Sequence, residues 1–459
     1  MRFTPPGRRG PSPSVFGSPY AARAAKPRFD FRSLLSQETI ATAILYGAVL
    51  FNIGLAFVNA NGMALTRTHV ILVELSIVAA TFAFCFRNWS PLMAPWLGVI
   101  WMLVVVFVAL SLLRQAVDPK YIRDVLLIPV FIMLGIAADR ANIVRIMCGL
   151  QAIVLVIMVF EAIAPTSYGS IFNITSYYIN TRDFKQEAFW NAGSNLFMSA
   201  LRPGERFLLP SLGIHRLSSV FLEPVSLGNW CIVITIFTAS FWRDLPNSAR
   251  AFLVISNAMV LVGSDGRLAT VNCVVVAFTP ILARFPSYIY ALYLPGIVVS
   301  ALLMVAVLHL DHDGDTFTGR IAYSMNVLAS MDIGSFLGYD LTLIGKGADS
   351  GIAYFILTQS ILGVAALWCA LCFFQPATSH RAVTLMHGAC FYLALNLMVS
   401  FSLFSIKTAA PLWFLYGYVR GRTYIEQGGA ASAGVVPVPS APGGGRLRVA
   451  GVAPGLART

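Results

Sequence analysis

The chain has 459 residues, of which 57% are hydrophobic and 11% charged, and its mean hydropathy is +0.74. So little charge cannot cover the surface of a soluble body this long, which excludes a soluble enzyme and specifies a polytopic, all-α membrane protein. The net charge of +12 is no nucleic-acid footprint, because it is gathered in the two tails and in short turns between apolar stretches.

Residues 1–36 form a basic tail with Arg2, Arg8, Arg9, Arg23, Lys26, Arg28 and Arg32; it has no apolar h-region, so no cleavable signal peptide is expected. Apolar spans follow at 39–60, 68–86, 91–113, 124–138, 143–164, 224–242, 250–264, 268–283, 287–310, 352–374, 383–401 and 405–419, twelve in all. The fourth is short, and Lys407 blurs the division of the last two. Arg87, Arg140, Arg145, Arg243, Arg250, Arg284 and Arg381 fall in alternate connections, and Arg420 and Arg422 follow the last span. Basic residues stay on the cytoplasmic side, so both ends are expected there. Residues 425–459, mostly Gly, Ala, Pro and Val, read as a disordered cytoplasmic tail. The seven cysteines all lie in apolar stretches and offer no disulfide framework.

Two long outer loops stand out, 165–223 and 311–351, because the other connections are short. The first carries Tyr168, Phe172, Tyr177, Tyr178, Phe184, Phe189 and Trp190, which suit either interfacial anchoring or stacking on sugar rings. It ends in Ile214–Trp230, where Pro224 opens an apolar helix and Glu223 sits at the membrane surface, seven residues after Arg216. Gly263-Ser264-Asp265-Gly266-Arg267 joins two short spans, so this turn is expected below the outer surface, in a cavity. In the second loop, Thr318-Gly319-Arg320 leads into Ile321–Met331, patterned as an amphipathic helix along the membrane. Gly345-Lys346-Gly347-Ala348-Asp349-Ser350-Gly351 then enters the next span and lacks the strand that a nucleotide fingerprint needs. His309 to Asp313 contains metal-ligand residue types, but the spacing matches no standard site.

The outer face therefore offers Arg216, Arg267 and Arg320 together with Glu223, Asp265 and Asp349. Arginine forks match phosphate oxygens bidentately, and a neighbouring carboxylate can take a proton from an attacking hydroxyl. Glu223 is the better candidate base and Asp349 the second. Glu223 paired structurally with Arg216 is the plainer alternative.

The stretch Arg216-Leu217-Ser218-Ser219-Val220-Phe221-Leu222-Glu223-Pro224 resembles a segment of the O-antigen polymerase/ligase superfamily. So do Gly263–Ala269, which resembles that family's Ser–Arg–Gly turn, and Thr318–Ile321 with Gly345–Gly363, which resemble its large outer loop. The resemblance covers roughly 41–420, its motifs lying in 214–363. It implies a fold akin to the lipid-dependent, metal-independent glycosyltransferases (GT-C-like), in the bacterial inner membrane, with both loops periplasmic. It further implies an undecaprenyl-pyrophosphate-linked glycan as donor and acceptor, no cofactor, and pyrophosphate bound by Arg216, Arg267 and Arg320, with Asp265 beside them. A chain-length regulator and export proteins are the expected partners. Where ligases carry a His-Asn pair this chain reads Asp349-Ser350-Gly351, which favours a polymerase of exopolysaccharide, capsule or O-antigen. Asp265-Gly266 also interrupts the family's Ser-Arg pair. A ligase and a glycan or solute transporter are the rival readings.

Overall fold

The computed structural model describes residues 36–182, 184–185, 195–196, 198–201, 206–285, 287–308, 316–347, 350–376, 378–400 and 404–432. Asp349, the His309–Asp313 stretch, Phe189, Trp190 and most of both tails lie outside the described residues.

Polar side chains punctuate the apolar sequence and start the helices: Ser36, Asp118, Asn142, Thr316, Ser350 and Ser379 each accept a backbone N–H of the first turn. In chain order the helices are α1 Gln37–Asn61, α2 Arg67–Arg87, α3 Ala94–Arg114, α4 Pro119–Ala137, α5 Ile143–Ile163, α6 Pro165–Phe172 and α7 Ile174–Arg182. Then come α8 Pro224–Phe241, α9 Asn247–Ser264, α10 Arg267–Ala277, α11 Thr279–Leu282 and α12 Tyr293–Leu308. The last six are α13 Phe317–Ala329, α14 Ile333–Leu337, α15 Ile344–Gly347, α16 Gly351–Phe373, α17 His380–Leu397 and α18 Ile406–Ser432. Strands are absent among the described residues, apart from one isolated bridge between Leu201 and His215.

Seven helices are long and apolar enough to cross a membrane: α1, α2, α3 with its leading turn from Pro91, α5, α8, α12 with its lead from Tyr288, and α16. The chain is thus a multi-pass helical membrane protein. The other expected spans are also helical, and three of them carry what a lipid-facing helix avoids. Lys120, Arg123 and Asp124 open α4, Arg381 and His387 lie in α17, and Lys407, Arg420 and Arg422 lie in α18, which runs past 424 to Ser432. These helices are enclosed by others. From Val125 to Ile136, α4 has hardly an exposed side chain, and it packs along α18 at glycine contact. A Cβ added at Gly135 would lie 2.1 Å from the Phe414 carbonyl oxygen, and one at Gly417 1.9 Å from that of Ile132. Backbone cannot yield as a flexible side chain can. Gly417→Ala is therefore expected to lower stability by about 3 kcal/mol, measured by thermal unfolding in detergent.

Helix α16 is broken. Ser360 has φ 64° and ψ 159°, and its Oγ accepts the Gly363 N–H to start the second half. The carbonyls freed by the break need donors in an apolar setting. Arg114, at the end of α3, supplies them to Leu357 O at 2.8 Å and Thr358 O at 3.1 Å, and also to Gly338 O at 2.6 Å.

One end of the bundle collects Glu38, Asn142, Asp244, Arg381 and Glu426, linked by Glu38–Asn142 and Arg381–Asp244–Glu426 contacts. The other end carries the two long loops. Three tyrosines of the first loop do not face outward: Tyr168, Tyr177 and Tyr178 are buried in a small apolar cluster of their own with Ala56, Leu65 and Leu222. The expected amphipathic helix is present as α13, with Ile321, Met325 and Leu328 buried beside α12 and α16.

Candidate functional site

Four helices start at the loop-bearing end around one cavity of about 530 Å³: α2, α4, α8 and α18. None has an acidic residue in its first turn. Instead Arg67 opens α2, Lys120 and Arg123 lie in the first two turns of α4, and Lys407 is the second residue of α18. Helix N-termini carry partial positive charge, so cations are disfavoured there and anions favoured. This cavity stacks cations on three of the four positive helix ends, an arrangement that an incoming anion relieves, while Glu223 caps the fourth.

Three carboxylates keep the cations in place. Glu223, extended at the N-cap of α8, accepts from Tyr178 Oη at 2.6 Å and Arg182 Nη1 at 3.0 Å through one oxygen. Its other oxygen accepts from Ser226 Oγ at 3.0 Å and lies 3.5 Å from Lys407 Nζ. Tyr178 and Arg182 are four apart on α7, so they share a face, and the guanidinium lies 4.5 Å over the ring. Lys407, buried at 1% exposure, also donates to Phe221 O at 2.8 Å. On the opposite wall, Arg123 donates to Glu74 Oε2 at 2.9 Å and to Asp124 Oδ1 at 2.7 and 3.0 Å. Tyr354 of α16 fixes the second Asp124 oxygen at 2.8 Å. Glu74 Oε1 has no hydrogen bond among the described residues, nor has the Arg67 guanidinium. The count is five cations against three carboxylates, leaving the site net positive.

Burial opposes ionisation of Glu223, but Lys407 first and then Arg182 overcome it and hold its pKa down to about 2. Burial works against the charge on Arg182 too, yet the groups around it, Tyr178 and Glu223 first, hold its pKa above the ordinary value. A carboxylate with so low a pKa is a weak proton acceptor near neutrality. Because the folded pKa lies below the unfolded value of 4.5, the stability that Glu223 adds is present above pH 4.5 and lost as pH falls towards 2. The difference in unfolding free energy between wild type and Glu223→Gln should therefore shrink as pH falls below about 4.5, as read from unfolding curves across pH.

Among the described residues, the other expected site residues lie elsewhere. Arg216 is buried and donates to Ser264 O at 3.0 Å and Ser199 O at 3.3 Å, while Glu223 takes Arg182 and Lys407 as its cationic partners. Asp265, fully buried at φ 49°, accepts the backbone N–H groups of Leu208 at 2.6 Å and Phe207 at 3.2 Å. Arg267 lies 5.9 Å over the Phe207 ring. Arg206 completes this brace on His215 O at 2.5 Å and on the carbonyls of Val262 and Gly263. The turn at Gly263–Arg267 is thus roofed by loop 206–217. The physical reason is that α9 ends with unpaired carbonyls at a negative pole, where arginines belong. Arg320, half-buried in the first turn of α13, does not line the basic cavity.

No family model, curated protein or solved structure matches the chain. The residues that reading the sequence passed over are Arg67, Glu74, Lys120, Arg123, Asp124, Arg182 and Lys407. Their signal was available, since Glu74, Asp124 and Lys407 are ionisable residues inside expected spans, where charge is retained mainly for function. A larger groove of about 670 Å³ lies between α12, α13 and α16 and has no charged lining residue, so it offers nothing to hold an anion.

Proposed function

We propose that the chain is a polymerase of lipid-linked oligosaccharide repeat units, of the O-antigen polymerase/ligase kind, with twelve spans and a GT-C-like fold in a bacterial inner membrane. One observation carries this reading: four helix N-termini, three of them loaded with cations, converge with Arg182 on a single cavity at the loop-bearing end. Such a site suits a diphosphate leaving group at membrane depth. Arg67 and Lys120 hold its oxygens, and Arg123 and Arg182 neutralise the charge that develops on it. An acceptor hydroxyl oxygen bonds to the anomeric carbon as the bond from that carbon to the diphosphate oxygen breaks and its electron pair leaves with the diphosphate. The hydroxyl proton passes to a carboxylate; Glu74 takes this role, having one oxygen open to the cavity, and its assistance is worth about 10²–10⁴ in rate. Glu223, ionised and held by Tyr178, Arg182, Ser226 and Lys407, sets the cations in position.

An apolar route supports a lipid-linked substrate. Phe404 lines the basic cavity and also a small cavity whose other walls, Leu294 and Trp368, line the large lateral groove. A transporter would make use of paired broken helices at its substrate site. Among the described residues Ser360 is the one non-helical break recorded within a helix, and Arg114 already occupies its carbonyls.

The deciding experiment incubates the purified protein in nanodiscs with a defined lipid-diphosphate-linked repeat unit. A ladder of polymer lengths is expected; uptake of the glycan into proteoliposomes without any ladder would refute the reading in favour of transport. Orientation is checked separately by Ser211→Cys, in the first long loop, and Thr378→Cys, at the arginine-rich end. A membrane-impermeant thiol reagent applied to spheroplasts should label the first and spare the second. The reverse pattern would turn the site to the cytoplasm, where a periplasmic polymerase cannot have it.

A further inference from the structure

At the opposite end of the bundle, α8, α11 and α17 enclose a second polar cavity, of about 420 Å³. Arg243, Arg284, Arg381 and His380 line it, with Asp244 and Glu426 as the acidic residues. Both acids are already engaged: Arg381 binds Asp244 at 2.8 Å and Glu426 at 3.4 Å, and Glu426 also meets Arg422 at 3.4 Å. Arg243 and Arg284, both exposed, are left without an ion pair or side-chain hydrogen bond among the described residues. Burial first, and then the charges of Arg243 and Arg284, hold His380 below its ordinary pKa, so both guanidiniums lie within electrostatic reach of that ring. Two like charges and an imidazole thus face one space with no counter-charge of their own.

A second observation is independent of charge. Ser240, 5% exposed and part of the cavity wall, has a buried hydroxyl with no hydrogen-bond partner. A buried hydroxyl without a partner is costly, and a ligand oxygen would satisfy it. The remaining walls are apolar: Ala239, Trp242, Pro280 and Ile281. Of these, Trp242 and Ile281 are about half exposed and continue the apolar surface that Phe278 and Phe285 present.

We infer that this cavity binds a phosphate group, with Arg243 and Arg284 gripping its oxygens and Ser240 completing the contact from below. The cations match phosphate geometry bidentately, and the half-apolar wall suits a phosphodiester attached to glycerol and acyl chains. The same chemistry would accept free inorganic phosphate, so the test separates the two sources. This inference is independent of the reaction at the other end.

Full-length protein is purified into nanodiscs of mixed phosphatidylglycerol and phosphatidylcholine, and the lipid that stays bound is counted by native mass spectrometry. Wild type should retain phosphatidylglycerol in preference. Arg243→Gln/Arg284→Gln should lose that preference by roughly tenfold and Ser240→Ala by a smaller factor, while Arg145→Gln, an arginine of the same end outside the cavity, should keep it. Neither Gln replacement removes a packed or paired side chain, so folding is checked simply by an unchanged Tm. In a parallel arm, inorganic phosphate is titrated into phosphatidylcholine nanodiscs. A rise in Tm for wild type and not for the double variant would support the phosphate site with a soluble source. Equal phosphatidylglycerol retention by the double variant, an equal loss in Arg145→Gln, or no response to either probe would each overturn the inference.

Discussion

Glu223→Gln is expected to cost about 3–5 kcal/mol of folding stability, the magnitude for removing one partner of a buried ion pair. The reason is Lys407. Its ammonium is 1% exposed, and with Gln at 223 it keeps a neutral acceptor, Phe221 O, but no counter-charge. Arg182, 44% exposed at its side chain, can turn to water and adds little to the loss. The double variant Glu223→Gln/Lys407→Met removes both charges and should recover most of the stability, because the apolar replacement needs no partner. Thermal unfolding of the three proteins in one detergent measures the cycle. A double variant as unstable as the single would mean that the carboxylate matters for reasons other than Lys407. Polymer formation should fall in both variants, by less than in Arg123→Lys, since each alters the charge that faces the leaving group.

The largest effect on activity should come from Arg123→Lys. Charge is preserved, but the fork that reaches Glu74 and Asp124 together is not, since an ammonium is a single point of charge. Loss of one well-placed donor to a developing anion typically lowers turnover about 10²–10³-fold. Chain growth per unit of purified protein should fall by that factor. Arg67→Gln provides the contrast: its guanidinium lines the cavity without a hydrogen bond among the described residues, so its loss should weaken substrate binding and leave Tm unchanged. Equal polymer yield from Arg123→Lys and wild type would remove the basic cavity from the mechanism.

Apart from Glu223, the residues changed in these variants are not those that the sequence alone brings forward. Arg216, Arg267 and Asp265 stand in a memorable order along the chain, and reading them as a phosphate site required only that they be outside. Folded, Arg216 and Asp265 are occupied with backbone. Arg216, with Arg206, caps the carbonyl end of α9, and Asp265 receives two N–H groups of the loop above it. A linear sequence does not say whether an arginine faces a helix start or a helix end, yet that decides whether it satisfies the protein or awaits a ligand. The aromatic first loop follows the same logic. Tyr177 and Tyr178 read as interfacial anchors or sugar-stacking rings, but packing turns them inward, Tyr177 to Asn52 and Tyr178 to Glu223.

Composition by itself determined that the chain is an all-helical, multi-pass membrane protein, because an apolar environment permits few ways of satisfying a backbone. Hydropathy placed most of the spanning helices to within a few residues, though α18 runs thirteen residues beyond the expected end at 419, and Pro224 marked the start of α8. Glu223 was found from the same local rule, as the polar residue that must stand where a span begins. The tertiary structure decided the rest. Arg67, Glu74, Lys120, Arg123, Arg182, Glu223 and Lys407 come from four separate helices and the N-cap of α8, up to 340 positions apart (407 − 67), and no local pattern joins them. What joins them is that four helices begin at one end of the bundle, and charges that are each unfavourable in an apolar span become tolerable only when the fold sets them against one another.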